Sequence, residues 1–380
     1  VSTRESRQGR ESTVADSAAR LRSTAQRVAA AGLDALLVTP GPDLKYLTGY
    51  DAVALERLTC LVVRAGGDPI VVVPRLERPA ALASPVGALG LDVEAWDETD
   101  DPYALVSSLL PGAAAVALDD HMWAAKVLAL RAAMPGVDQR QGGPLLRELR
   151  MRKSPAEVAA LRAAGAAIDA VHGHVEQWLK PGRTEAEVGR DIADAILAAG
   201  HTSVDFTIVA AGPNGASPHH ELSDRVIQPG EPVVVDIGGT MPSGYCSDST
   251  RTYAVGAPDA DFVAMYQVLE AAQDAACRWA RPDVSCASVD AAARDVIGAA
   301  GLGELFVHRT GHGIGLETHE DPYIVAGNDL PLEPGMAFSI EPGLYVHGRY
   351  GARIEDIVVV TDDGVERLNQ RTRELVVLEV

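Results

Sequence analysis

At 380 residues the chain has room for two domains of the usual ~150 residues each, and with 47% hydrophobic residues it can bury a large core. A formal net charge of −20 speaks against nucleic acid or an anionic membrane as a partner, since both need a positive footprint. No apolar run approaches the ~18 residues of a membrane span, and the four cysteines, Cys60, Cys246, Cys277 and Cys286, form no CxxC pair, so a reducing cytoplasm is the expected location.

The first stretch, VSTRESRQGRESTVADSAARL, is polar and dotted with arginine and lacks the apolar segment of a secretory signal. Residues 1–17 are expected to be a flexible tail. Residues 18–31 have helical spacing and end at Gly32, a suitable cap. Strands are expected at 35–41, 59–67, 69–74, about 93–96 and 115–120, with a helical ERPAALAS between them. That alternation makes residues 18–148 a smaller α/β domain, ending near the QGGP at 141–144. His121 and Trp123 beside Asp119 and Asp120 mimic a ligand cluster, but read better as a strand end entering a capped helix.

From Ser154 onward, in a second domain placed at 149–380, long helices take over. Ser154 with Glu157 and Thr184 with Glu187 each form the capping-box pattern at a helix start. His172 and His174 are two apart, fall on different faces of the first of these helices and are not expected to be ligands. A strand at 206–212 leads into a loop carrying Pro218, His219 and His220. Next comes VVVDIGGTMPSGYCSDSTRT, Val233 to Thr252, which reads as strand, turn and strand with Asp236 on one arm and Asp248 facing it on the other. Helices at about 259–280 and 288–300 precede the last strands, within LFVHRTGHGIG, MAFSIEPGLYV and ARIEDIVVVT. Helices over a curved antiparallel sheet make this domain α+β.

Carboxylates in buried strands are costly unless a cation compensates them. Besides Asp236 and Asp248, the same domain offers His312 in RTGHGIG, Glu341 in SIEPG and Glu355 in ARIED. Taken singly each has an innocent explanation: Asp248 capping a turn with Thr250, His312 as a core histidine, Glu355 paired with Arg353. Together, five hard ligands of which four are carboxylates describe a two-metal hydrolytic site. Two divalent ions roughly 3.5–4 Å apart need bridging ligands, which carboxylates supply and imidazoles do not. Oxygen-rich coordination with one imidazole favours Mn²⁺, with Co²⁺, Zn²⁺ or Fe²⁺ as substitutes. The chain has no HExxH, GxxxxGK[ST] or GxSxG motif. Gly311, Gly313 and Gly315 are read as places where backbone approaches the segment carrying His312.

The ordered set DIGG, SDSTRT, VHRTGHGIGLETHE, SIEPG and RIED resembles the pita-bread metallopeptidase family, over about Leu149 to Val380. That family includes Xaa-Pro dipeptidase (prolidase), aminopeptidase P, methionine aminopeptidase and creatinase. The YLTGY segment, Tyr46 to Tyr50, in an N-terminal α/β domain is similar to the prolidase, aminopeptidase P and creatinase branch. The resemblance implies a pita-bread catalytic domain in which Asp236 binds one metal in bidentate fashion, Asp248 and Glu355 bridge, and His312 and Glu341 bind the other metal. It implies a bridging hydroxide as nucleophile, with Glu341 shuttling its proton. His308 and His319 would contact substrate or the developing oxyanion, His219 would reach the substrate from a mobile loop, and Arg353 would stand behind the metal ligands or near substrate. His220 has no such counterpart.

The implied activity is hydrolysis of the Xaa-Pro bond at the N-terminus of dipeptides or short peptides, by a homodimer. Alternatives are a strict aminopeptidase P on longer peptides, a creatinase-like hydrolase that is not a peptidase, and a non-catalytic scaffold. One departure bears on substrate length. Some prolidases place an arginine after the HE pair to hold the dipeptide carboxylate, whereas here HEDPY offers Tyr323. Arg353 or Arg349 is the expected compensation, and a relaxed enzyme that accepts both dipeptides and tripeptides is the expected result.

Overall fold

In the computed structural model the backbone is described for residues 2–379 and side chains for residues 14–379. The chain forms two compact units, Val1–Arg150 and Met151–Val380. The helix expected from residue 18 is part of a longer one, Ser2–Ala30, whose backbone takes in residues 2–17 of the expected tail, a correction to that expectation. Among the described residues no helix is long and apolar enough to cross a membrane.

The first unit is built on a six-stranded sheet. From one edge its strands run Asp92–Trp96, Ile70–Pro74, Cys60–Arg64, Ala35–Val38, Ala115–Leu118 and Asp138–Gln141. Ala35–Val38 and Ile70–Pro74 both pair antiparallel with Cys60–Arg64, and the remaining ladders are parallel. The inner strands are runs of apolar residues buried on both faces, as helix-covered sheets require. The edge strand Asp138–Gln141 has no sequence counterpart in the expectations above: its residues are polar and mostly exposed, so it carries no apolar periodicity and exists because Ala115–Leu118 offers it an open edge. PDLKYLT is a short helix, Pro42–Thr48, ended by Gly49 in the left-handed region at φ 71°. Asp119 accepts hydrogen bonds from the Thr39 amide (2.7 Å) and the His121 amide (2.9 Å), so the Asp119–Trp123 cluster ties a strand end together.

In the second unit both capping boxes form, with Ser154 and Glu157, and Thr184 and Glu187, exchanging side-chain to backbone hydrogen bonds. The first of these helices stops at His172, and after Gly173 a separate turn, Val175–Trp178, follows. His172 is buried between the Tyr253 hydroxyl (3.0 Å) and the Ser249 carbonyl (3.1 Å), a structural setting.

Two larger sheets form the framework of the second unit. One has the order Val376–Leu378, Cys246–Val255, Pro232–Thr240, Ser203–Ala211, and the other Glu320–Ile324, Gly311–Gly313, Ala337–Ile340, Asp356–Val360, Val365–Arg367. Val233, Val235 and Ile237 pack with Ile168, Ile192 and Ile196 of the helices on the first sheet. Phe338, Ile340 and Val358 of the second pack with Phe262, Leu269 and Val289 of helices Ala260–Trp279 and Cys286–Ala299. Each sheet thus has a helix-covered face, and the alternation of the strands sends the intervening side chains the other way.

The central ladder of the second sheet depends on glycine. A Cβ on Gly311 would stand 1.8 Å from the Ser339 carbonyl oxygen, and one on Gly313 2.2 Å from that of Asp321. The flanking strands approach the backbone more closely than any side chain permits. Gly311→Ala should therefore destabilise the protein by about 3 kcal/mol or more. Gly298→Ala, on an exposed helical site with nothing within 4 Å, should stabilise it by ~0.5–1 kcal/mol. Denaturant unfolding of the two variants measures both, and an unchanged midpoint for Gly311→Ala would refute the close-approach account.

Candidate metal centre

The hairpin Pro232–Thr240/Cys246–Val255 places its two aspartates on one face but not opposite each other. Asp236 pairs with Thr250 and Asp248 with Gly238, so the carboxylates are diagonal neighbours, a correction to the facing arrangement expected. The offset leaves Gly238 and Thr250 as their cross-strand partners. Gly238 has to be glycine, because a Cβ there would meet the Phe206 ring at 2.5 Å. The Thr250 hydroxyl donates to Glu355 Oε2 at 2.8 Å.

Glu341 and Glu355 sit where two ladders break. Strands expected to be continuous are divided: Ala337–Ile340 pairs with Asp356–Val360, and Gly343–Val346 with Tyr350–Arg353. In the gap the backbone turns to other partners, with the Glu341 amide donating to Thr310 O (2.8 Å) and the Glu355 amide to Thr250 O (3.1 Å). Those two bonds stitch the glutamates to the segment bearing His312 and to the aspartate hairpin. The four pieces converge on a cavity of about 780 Å³.

His312 lies at the centre. Its Nε2 is 3.2 Å from Glu341 Oε1, 3.6 Å from Asp248 Oδ2 and 3.9 Å from Glu355 Oε1. Ligand atoms of Asp248, His312 and Glu355 all lie within 4.8 Å of one another, and all three residues are buried. Asp236 stands in the same wall but is drawn to Arg353, whose Nη2 donates to Oδ2 at 2.5 Å. Arg353 was expected either behind the ligands or near substrate, with a pairing to Glu355 as the innocent reading of that glutamate. It is buried behind Asp236, with Nη1 also on the Tyr345 hydroxyl (2.7 Å) and Nε on the Thr250 hydroxyl (3.2 Å).

The electrostatics are those of a site short of positive charge. Burial, then repulsion from Glu355, Asp236 and Glu341, pushes the Asp248 carboxyl far above its ordinary value. Burial and the charges of Glu341 and Asp236 do the same to Glu355. Burial works to raise Glu341 too, but the hydrogen bond and charge of His312 outweigh it and hold that carboxyl low. Asp236 Oδ1 and Glu355 Oε1 are buried with no hydrogen-bond partner. Unpaired buried carboxylate oxygens, mutual repulsion and one imidazole among hard oxygen donors fit divalent cations.

The histidines divide by what their ring nitrogens hold. His308 is engaged on both sides, Nδ1 with Arg309 O (2.7 Å) and Nε2 with the Tyr345 hydroxyl (2.9 Å); the carbonyl assigns the proton to Nδ1, leaving Nε2 to accept from Tyr345. His319 meets His312 edge to face, with ring centroids 4.1 Å apart, and lines the cavity. Partial burial, then the neighbouring His312 and Arg309, depress its pKa to about 4, so its ring is neutral at pH 7. His219 lines the cavity beside Pro218, while His220 turns to Glu185, 2.8 Å away. Sequence reasoning passed over Tyr345 and Arg309. Tyr345 had no signal beyond lying two residues after Gly343, whereas Arg309 lay between two histidines already singled out. Arg349 is not part of the wall; it is half exposed, near Asp259 (3.9 Å) and Asp261 (4.0 Å).

Comparison with known proteins returns two family models: metallopeptidase family M24 over residues 159–362, and the creatinase/prolidase N-terminal domain over residues 20–152. The chain is similar to "Probable dipeptidase PepE" of Mycobacterium tuberculosis, 56% identical over 96% of this chain and 97% of that one. It is 36% identical to "Xaa-Pro dipeptidase" of Lactobacillus helveticus, over 89% of this chain and 93% of that one. Among solved structures, dipeptidase PepE from Mycobacterium ulcerans superposes with a TM-score of 0.93 at 55% identity, covering 97% of this chain and 99% of that one.

Proposed function

The chain belongs to metallopeptidase family M24, and on that footing we propose that it is a two-metal peptidase that releases the residue preceding proline from Xaa-Pro dipeptides and short peptides. The observation that carries this reading is the convergence of Asp236, Asp248, His312, Glu341 and Glu355 on one cavity, with two of their buried oxygens unpaired. A creatinase-like or scaffold role would have no use for the complete set. Mn²⁺ is the metal we favour, on the oxygen-rich donor set.

In this reading those five residues hold two divalent ions, which when bound supply the Lewis acidity that brings the pKa of a water toward neutral and polarises the scissile carbonyl. The protein does the rest. Glu341, kept ionised, takes a proton from the attacking water and returns it to the prolyl nitrogen as the C–N bond breaks. His319, neutral and with no hydrogen-bond partner for its ring among the described residues, donates to the carbonyl oxygen as negative charge develops there. His308 supports the wall through Tyr345 and the Arg309 carbonyl. Phe206, Ile208 and Pro218 give an apolar surface for the pyrrolidine ring and the preceding side chain. Because the Xaa-Pro amide has no N–H, nothing in the wall has to accept one.

A peptide panel assayed after Mn²⁺ loading tests the reading, with free proline and longer products both quantified. Xaa-Pro peptides should be cleaved in preference to Xaa-Ala peptides, by roughly 10-fold or more in kcat/KM. An enzyme that cleaves Xaa-Ala and leaves Xaa-Pro untouched would sink it.

A further inference from the structure

Two guanidinium groups reach the cavity wall, Arg353 and Arg309. Arg353 is fully committed, to Asp236, Tyr345 and Thr250. Arg309 is half-buried and, among the described residues, pairs with no carboxylate and donates no side-chain hydrogen bond. It is nonetheless held in place. Its guanidinium carbon lies 4.6 Å from the centroid of the Tyr323 ring. Its carbonyl accepts from His308 Nδ1 at 2.7 Å. The next residue, Thr310, is fixed by its hydroxyl on Asp290 (2.7 Å), its amide on Ile324 O (3.0 Å) and its carbonyl under the Glu341 amide (2.8 Å).

A planar fork braced on an aromatic face, with its N–H groups unspent beside a peptide-sized cavity, is suited to binding a carboxylate in a bidentate manner. Four carboxylates line the same cavity and, among the described residues, Arg309 pairs with none of them, so its charge is available to a negatively charged part of the substrate. We propose that Arg309, braced on Tyr323, binds the free C-terminal carboxylate of an Xaa-Pro dipeptide and so selects dipeptides over peptides that continue beyond proline. The inference rests on the Xaa-Pro reading above and adds its substrate class. It also accounts for the tyrosine in HEDPY: at that position the chain supplies a ring face, and the charge comes from the neighbouring segment. The relaxed length preference expected from Tyr323 gives way to a preference for dipeptides.

A guanidinium on a tyrosine is also an ordinary packing contact, and substrates with and without the carboxylate separate the two. The Mn²⁺-loaded wild type should hydrolyse an Xaa-Pro dipeptide with kcat/KM roughly 10- to 100-fold above that for the same dipeptide amide, mostly through KM. Arg309→Met keeps the length of the side chain and its cover on Tyr323 without the charge. It should erase that difference by weakening the acid substrate alone, and Arg309→Lys should restore part of it. Calorimetric titration with proline and with prolinamide should show the same discrimination in the wild type and its loss in Arg309→Met. Equal rates and equal affinities for acid and amide in the wild type overturn the inference, as does an Arg309→Met variant that loses both substrates equally while keeping its metal. A wild type that hydrolyses neither acid nor amide overturns the Xaa-Pro reading instead, and the calorimetric comparison then decides the role of Arg309 separately.

Discussion

Stripping the purified protein of divalent metal is expected to lower its peptidase activity by roughly three orders of magnitude or more, with Mn²⁺ restoring it. The reason lies in the charge balance of the cavity. Asp236, Asp248, Glu341 and Glu355 face one another there, and the nearby cations of the wall are Arg353, already paired with Asp236, and Arg309. Without metal, burial and then mutual repulsion push Asp248 and Glu355 toward protonation, which removes their capacity to act as ligands until a cation displaces the protons. Metal loading should therefore release protons and raise the unfolding temperature in a concentration-dependent way, since ions bind the folded site and not the dispersed ligands. Elemental analysis should find about two ions per chain. Chelator-treated protein with no metal and full activity would refute the whole account of the site.

Replacing His319 and His312 in turn should separate transition-state stabilisation from metal binding. Their rings touch, yet they do different work. His312 Nε2 points into the carboxylates, so His312→Ala should lose metal and activity together. His319 contacts no carboxylate among the described residues, and burial with its cationic neighbours keeps it neutral at pH 7, with an N–H to donate. His319→Ala should lower kcat by roughly 10²- to 10³-fold, the usual cost of one oxyanion donor, with metal content retained and KM little changed. Full turnover by His319→Ala would remove it from the mechanism. Loss of metal on the same substitution would move it into the ligand group.

Much of this was legible in the chain because the signals are local. Capping boxes at Ser154 and Thr184 need only four consecutive residues, and continuous β-branched runs name the strands at Ile70–Pro74 and Pro232–Thr240. The five candidate ligands stand out by chemistry, since acids within or beside apolar strands and a histidine between glycines are costly to place without a purpose. The polar edge strand Asp138–Gln141 escaped notice for the converse reason: its side chains carry no burial pattern, and only the neighbouring strand makes it one.

By itself the sequence determined the division into an α/β and an α+β domain, the residues able to ligate metal and the family. Each follows from periodicity or from side-chain chemistry along a short stretch. Tertiary structure alone decided who pairs with whom. Arg353 reaches Asp236 across 117 positions of sequence rather than its neighbour Glu355, and that choice leaves Asp236 with one free oxygen. Asp236 and Asp248 stand diagonally because of a register set by the whole hairpin ladder. Glu341 and Glu355 meet His312 because two ladders break at the same level and their amides are claimed by Thr310 and Thr250. Arg309 lies over Tyr323 because adjoining segments of one sheet bring them together. Such pairings depend on backbone paths distant in sequence, whose energies are settled only when the strands are packed, and no local pattern encodes them.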